Sequence, residues 1–210
     1  MIDAKLPTSL DGPRTLRSRA ERDRRKTLLR EPHIAPLTEF ADMLRSADVA
    51  VPYFDPLDGG NAARMLFLFE KPGPMTDPEG GSGFISRNND DATAEAAFHF
   101  MRQAGIDRKD TILWNVIPGW NKTIRIAKGE LEQGRLALNA LFTLLPRLRI
   151  VVLVGRKAAQ VQANIEQRGL KVFVSHHPSP KVRAIYRDKW ESIPGVWAVA
   201  RQALEHTTPK

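Results

Sequence analysis

Four short apolar runs, each about the length of a buried strand, constrain the fold of this 210-residue chain most strongly. They are Met65–Phe69, Thr111–Val116, Arg149–Val154 and Lys171–Ser175. The first of them, Met65–Phe69, is an uninterrupted apolar run, which is typical of a strand that is buried on both faces of a parallel sheet. Helical patterns follow them, over Ala92–Ala104, Leu131–Leu145, Arg156–Arg168 and Arg187–Leu204. The alternation predicts a three-layer α/β/α domain with a four-stranded, mostly parallel central sheet.

The positive charge of the chain is concentrated near its N-terminus. The net charge is +8, and most of it falls in residues 14–30, which we call the basic segment. We divide the chain into a basic N-terminal arm or helix over residues 1–31 and an α/β domain over residues 32–210, with a short helix predicted from Pro36 to Ser46. Two interpretations of the basic segment are open, a solvated helix or an arm that contacts phosphates.

Several classes of protein are excluded by what the sequence lacks. Cysteine is absent, which excludes disulfides, thiol catalysis and cysteine-ligated zinc or iron–sulfur clusters. No apolar stretch approaches the ~20 residues that span a bilayer, and residues 1–5 lack the apolar core of a secretory signal. The adjacent pair His176 and His177 would point to opposite sides of an extended segment, so we expect no metal there. We expect a cytoplasmic, monomeric protein that needs no cofactor.

Polar and rigid residues are concentrated where the predicted strands end. Glu70-Lys71-Pro72-Gly73 follows the first strand, and Asn115 lies at the end of the second. Gly155-Arg156-Lys157 follows the third strand, and His176 to Pro180 follows the fourth. Ligands of open parallel sheets bind beyond the carboxyl ends of the strands. We therefore expect these segments to form one site, although each alone is also compatible with a structural turn.

Taken in order, these segments resemble the motifs of the uracil-DNA glycosylase superfamily. Glu70-Lys71-Pro72-Gly73 resembles the first motif, and Gly83-Phe84 resembles the segment with a base-stacking aromatic ring. Asn115 matches the strand end that recognises uracil, and His177-Pro178-Ser179-Pro180 is identical to the second motif of several branches. The resemblance covers more than half of the chain. It implies a DNA glycosylase that flips uracil out of DNA, hydrolyses its N-glycosidic bond and leaves an abasic site, in base excision repair.

The resemblance also implies a role for each matching residue. His177 would donate a hydrogen bond to O2 of the leaving uracil, where negative charge develops. Phe84 would stack on the base. Asn115 would pair with O4 and N3–H of uracil and so reject cytosine. The first motif would line the O2 side of the base through Glu70, Lys71, Pro72 and Gly73.

The second motif and the basic residues after it are expected to contact DNA. They are Pro178, Ser179, Pro180, Lys181 and Arg183. The two prolines make the loop rigid, and Ser179 offers both its hydroxyl and its backbone N–H to a phosphate. Arg183 is our candidate to fill the gap that the flipped base leaves. The basic segment would add salt-sensitive affinity for DNA of any sequence.

The sequence departs from the superfamily pattern at the first motif. Phe69 stands where the motif usually opens with glycine, and Lys71 stands where several branches carry a water-activating Asp or Asn. A protonated lysine is not a base, so Glu70 becomes the leading candidate for that step, followed by Asn88, Asp90 and Asp91. An iron–sulfur branch with a similar first motif carries four cysteines. We therefore interpret this chain as an atypical member without the cluster.

Two other functions are compatible with the same residues. One is a glycosylase-fold protein with weak turnover that binds and retains uracil-containing or abasic-site DNA. The other is an unrelated α/β enzyme that acts on a small phosphorylated molecule. At the level of single residues, Phe84 is also compatible with a core aromatic and Asn115 with a strand-end cap.

Overall fold

A computed structural model describes residues 10–206, so residues 1–9 of the predicted arm lie outside the described residues. Strands β1–β6 span Tyr53–Phe54, Met65–Phe69, Phe84–Ile85, Thr111–Asn115, Ile150–Val154 and Lys171–Ser175. Helices α1–α8 span Arg19–Thr27, Ala35–Met43, Ala92–Gln103, Glu130–Thr143, Gln162–Glu166, Pro180–Ile185, Arg187–Glu191 and Ile193–Glu205. Within residues 10–206, no helix combines the length and the apolar character that crossing a bilayer requires.

The four predicted strands form one parallel sheet with the order β4-β2-β5-β6. Every residue of β5 is buried, as expected for a strand with covered faces. Trp114 of β4 packs on Phe40 of α2 on one face of the sheet. Phe67 of β2 packs edge-on against Trp197 of α8 on the other face, with ring centroids 5.0 Å apart. Because helices cover both faces, the predicted three-layer α/β/α fold is confirmed.

Some elements differ from the sequence prediction. The helix predicted over Arg156–Arg168 is a 3-10 turn, Ala158–Val161, followed by the short α5. The helix predicted over Arg187–Leu204 is divided into α7 and α8. Pro194 lies in the first turn of α8, where its missing N–H costs nothing, and this favours a new helix start. Strands β1 and β3 form a separate two-stranded parallel sheet, and two residues are too few to give a sequence pattern.

The basic segment packs against the α/β domain. Leu16 and Leu29 form a small buried cluster with Phe84, and Tyr53 packs against it. Arg25 of α1 is fully buried and ion pairs with the equally buried Asp55. Since both apolar and charged side chains of the segment are turned inward, it is a fixed part of the surface on which it lies.

A buried ion-pair cluster joins the basic segment to the sheet domain. Its members are Arg25, Asp55, Asp58, Arg87 and Arg108. Burial alone would raise the pKa of Asp55, but Arg108 at 2.7 Å and Arg25 outweigh it and lower the pKa to about 2. Burial raises the pKa of Asp58 to about 6, because Arg108 and Arg87 offset only part of it. Asp55 is therefore the carboxylate that holds its charge throughout the neutral range.

Candidate functional site

A cavity of about 430 Å³ opens beyond the carboxyl ends of β2 and β4. Phe69 and Asn115, the last residues of these two strands, are paired in register and so lie side by side. His177 reaches the cavity from the loop after β6. Much of the remaining wall is apolar and includes Ile85 and Leu113. This is the place where parallel α/β sheets bind ligands, and the volume lies in the range of small-molecule sites.

Asn115 presents an unpaired amide to this cavity. The residue is only 4% exposed. Among residues 10–206, its side chain has no hydrogen-bond partner. Because the amide lies on the cavity wall, a ligand with one donor and one acceptor can pair with both of its ends.

His177 is a second polar group that the fold leaves available. Its ring packs edge-on against Phe69, with ring centroids 5.8 Å apart. Burial lowers the pKa of His177, and the negative charges of Glu70 and Asp91 offset part of that effect. The imidazole is therefore neutral at neutral pH and keeps one N–H to donate. In the described part of the chain, neither ring nitrogen has a hydrogen-bond partner.

Lys71 lines the cavity, but its ammonium group is already bonded. Its Nζ donates to both carboxylate oxygens of Glu130, at 2.7 and 3.0 Å, and to the carbonyl oxygen of Arg125 at 2.8 Å. These bonds hold the start of α4 against the loop after β2. Ile124 also lies on the cavity wall. Pro72 and Gly73 line the same wall. The structure thus brings five predicted site residues to one cavity: Lys71, Pro72, Gly73, Asn115 and His177.

Glu70 is absent from the residues that line this cavity, in contrast to its predicted catalytic position. Its Oε1 accepts the backbone N–H of Lys157 at 2.9 Å, so the carboxylate faces the end of β5. Gly155 makes this approach possible, because a Cβ there would lie 2.7 Å from Oε1 and its φ is +99°. In this conformation the Glu70 carboxylate is turned toward the end of β5, and its predicted catalytic role stays a prediction. Its negative charge acts on His177.

Phe84, the predicted stacking residue, also lies outside the cavity. Its ring is fully buried and packs against Leu16 and Leu29, with the ring centroid of Tyr53 6.4 Å away. It anchors the basic segment and lies outside the cavity wall in this conformation, so its stacking role stays a prediction. The aromatic ring that does line the cavity is Phe69, which the sequence marks only as a departure from the expected glycine.

The loop after β6 is organised around Ser179. Its backbone N–H donates to the carbonyl oxygen of His177 at 2.8 Å, so the predicted N–H contact with a phosphate is wrong. Its Oγ accepts the backbone N–H of Val182 at 3.3 Å and caps α6, which leaves the hydroxyl hydrogen free to donate. The Arg183 guanidinium lies over the ring of Trp190, 5.0 Å from its centroid. Pro178 is buried, whereas the surface carries Pro180, Lys181 and Arg183.

Of the three remaining candidates for water activation, one lines the cavity. Asn88 is fully buried and accepts a hydrogen bond from Arg108 at 2.6 Å. Asp90 ion pairs with Arg14 at 3.1 Å. Asp91 lies on the cavity wall, and its Oδ1 accepts two backbone N–H groups in the first turn of α3, both at 2.9 Å. Asp91 is therefore the candidate that the fold directs toward a ligand.

Some residues of the cavity wall belong to no sequence motif that predicts a site. Asn89 donates through Nδ2 to the carbonyl oxygen of Phe84 at 2.9 Å, and its Oδ1 is buried without a partner. Arg87 is 4% exposed and bonds to the hydroxyl of Thr111, and burial lowers its pKa. In the sequence, the polar stretch of residues 86–91 that contains both of them is the one feature that indicates this part of the cavity wall. Within residues 10–206, no three His, Asp or Glu side chains stand close enough to hold a metal ion.

Comparison with known proteins gives a family match. The family model of the uracil DNA glycosylase superfamily matches residues 57–198. A Methanosarcina acetivorans protein studied by NMR, described as a candidate uracil DNA glycosylase, is 16% identical, with a TM-score of 0.49 over 70% of this chain and 93% of that one. The wild-type UNG crystal structure from Nitratifractor salsuginis is 16% identical, with a TM-score of 0.43 over 84% and 96%. No curated protein matches the chain.

Proposed function

Because the chain belongs to the uracil DNA glycosylase superfamily, we propose that it flips uracil out of DNA into the cavity and hydrolyses the N-glycosidic bond. One observation carries the proposal. Asn115 and His177 line the same cavity, and neither side chain has a hydrogen-bond partner among residues 10–206. The products are free uracil and an abasic site, which is an intermediate of base excision repair.

Asn115 supports selectivity for uracil. Its amide oxygen can accept N3–H of uracil while its amide nitrogen donates to O4. Cytosine carries an amino group at C4 and no hydrogen on N3, so with the amide in this orientation both contacts would become donor–donor or acceptor–acceptor pairs. Selectivity therefore requires the complex to hold the amide in this orientation, because an amide turned by 180° would pair with cytosine instead. The neighbouring ring of Phe69 provides a stacking surface, which is worth about 1–3 kcal/mol for a base.

His177 supports the bond-breaking step. When the C1′–N1 bond breaks, its electron pair goes to the base and negative charge develops on O2. A neutral imidazole can donate its N–H to that oxygen, and burial, which lowers the pKa of His177, keeps the ring neutral. Removing one such donor typically lowers the rate by about 10²–10³-fold.

DNA binding is supported by the surface beside the cavity. Lys181 and Arg183 are exposed on α6, and the hydroxyl of Ser179 lies at its start. We place phosphates of the lesion strand along this helix, with Pro178 and Pro180 shaping the loop. Cationic side chains there bind phosphates without regard to sequence, and their affinity falls as salt rises.

The test is an alkali-treated gel of a labelled oligonucleotide that contains one uracil, with EDTA present and a matched cytosine oligonucleotide as control. We expect strand cleavage at uracil and none at cytosine, with both catalytic and stoichiometric protein. Cleavage with stoichiometric protein alone favours a protein that retains its product. A retarded band without cleavage favours a binding protein. Undiminished cleavage by H177A and N115A overturns the assigned roles.

A further inference from the structure

The proposed reaction needs a group that orients a water molecule and accepts its proton, and the first motif does not supply one. The Lys71 ammonium group is bonded to Glu130 and carries no lone pair. Glu70 faces the backbone N–H of Lys157 and is absent from the cavity wall. The acceptor must therefore come from another element that lines the cavity.

Asp91 meets the geometric requirements for this acceptor. It lines the cavity, and its charge acts on His177, which places the two side chains around the same space. Its Oδ1 is fixed by the two N–H groups of the first turn of α3. Its Oδ2 has no hydrogen-bond partner within residues 10–206. The carboxylate is thus held in place by one oxygen and left free at the other, which avoids reorganisation during the reaction.

Asn89 is the nearest competitor, and it lacks the necessary chemistry. An amide oxygen orients a water molecule but does not accept its proton at neutral pH. Its Oδ1 is also enclosed by protein atoms, whereas Asp91 is partly exposed at the cavity. Asn89 instead holds the wall together through its bond to the carbonyl oxygen of Phe84.

We propose that Asp91 is the residue that activates the attacking water, an inference that rests on the proposed function. The water oxygen forms a bond to C1′ as the C1′–N1 bond breaks. The electron pair of the broken bond leaves with uracil as its anion, which the N–H of His177 stabilises. The proton of the water molecule moves to Oδ2 of Asp91 and is later released to solvent.

Two conservative substitutions separate this role from a structural one. Asp91→Asn keeps an oxygen that can cap α3, because asparagine is as good an N-cap as aspartate. Asp107→Asn is the matched control, because Asp107 lies outside the cavity wall and likewise caps a helical turn, where it accepts the N–H of Lys109 at 2.8 Å. With protein in excess over single-uracil DNA, we expect D91N to lower the single-turnover rate constant by about 10²–10⁴-fold. D107N should keep a rate constant close to that of the parent protein, whereas Glu70→Gln tests the rival carboxylate and should lower the rate constant far less than D91N does.

Binding is measured separately on DNA that carries a non-hydrolysable 2′-fluorinated deoxyuridine, and all three variants should bind it like the parent. Asp91→Ser is a second capping variant without a carboxylate, so a loss of activity equal to that of D91N supports the missing base. The reverse pattern, with E70Q slow and D91N fast, overturns the inference and leaves the proposed function standing. Full activity of both D91N and E70Q also overturns it. A parent protein that releases no uracil overturns the proposed function itself.

Discussion

Two groups of polar side chains in this molecule, the buried ion-pair cluster and the pair on the cavity wall, differ in whether the fold provides their partners. In the ion-pair cluster, Asp55 lies within contact distance of both Arg25 and Arg108. In the cavity, Asn115 and His177 have no hydrogen-bond partner within the described residues. Opposite charges that meet inside the protein hold the basic segment to the sheet domain, whereas the polar groups of Asn115 and His177 can pair with a ligand that enters the cavity.

The largest expected effect comes from breaking the cluster. Asp55→Asn removes a fully buried charge and leaves Arg25 and Arg108 without their shared carboxylate. We expect the free energy of unfolding, measured with urea near neutral pH, to fall by about 3–5 kcal/mol. The control is Asp110→Asn, which breaks an exposed pair with Arg64 at 2.8 Å and should cost at most about 1 kcal/mol. Equal losses in the two variants would contradict the contrast.

The converse experiment concerns the cavity. Asn115→Leu replaces an amide on the cavity wall by an apolar side chain of similar size and removes no hydrogen bond within the described residues, so thermal stability should stay close to that of the parent protein. Excision of uracil should nevertheless fall by about 10²-fold or more, because two hydrogen bonds to the base are lost. Single-turnover kinetics and thermal denaturation of the same preparation measure both quantities. A clear loss of stability together with retained activity would reverse the assignment.

Lowering the pH should change the stability contributions of Asp55 and Asp58, the two carboxylates of the cluster, in opposite directions. The pKa of Asp55 is lowered from 3.8 to about 2, so its stabilisation is complete above pH 3.8 and is lost as the pH falls toward 2. The free energy difference between the parent protein and Asp55→Asn should therefore narrow by about 2 kcal/mol over that interval.

Asp58 should show the opposite sign at a higher pH. Its pKa is raised from 3.8 to about 6, so the folded state takes up a proton first and gains stability as the pH falls from 6 to 3.8. Urea unfolding of the parent and of Asp58→Asn at several pH values measures this gain, which the variant should lack. An identical pH dependence in both proteins would show that Asp58 titrates normally.

The smallest effect is expected at the surface. Lys181→Ala should weaken DNA binding by a similar factor with and without uracil, and reduce the salt dependence by about one counterion. The rate constant at saturating protein should not change. Arg147→Ala, just before β5 at the opposite end of the sheet, is the control and should bind DNA like the parent. Salt titrations of binding by fluorescence anisotropy distinguish the variants.

The sheet and part of the site could be predicted from the sequence. The side-chain directions of other site residues could not, and the physical reasons for the two outcomes differ. Apolar runs determine buried strands, and the ends of parallel strands lie at one edge, so Asn115 and His177 fall at the cavity. The direction of a side chain depends on distant partners. Glu70 turns toward a backbone N–H that lies 87 residues away in the sequence, and Phe84 is buried by the basic segment. Neither contact leaves a local pattern.

The ion-pair cluster has a consequence for the kinetics of folding. Arg25 is separated from Asp55 by 30 residues and Asp55 from Arg108 by 53, and outside the cluster Arg14 is separated from its partner Glu95 by 81. Closing such long loops costs entropy before the charges meet, so we expect these contacts to form late. Contacts absent from the transition state slow unfolding without accelerating folding. The basic segment would then govern how long the folded molecule persists more than how quickly it forms.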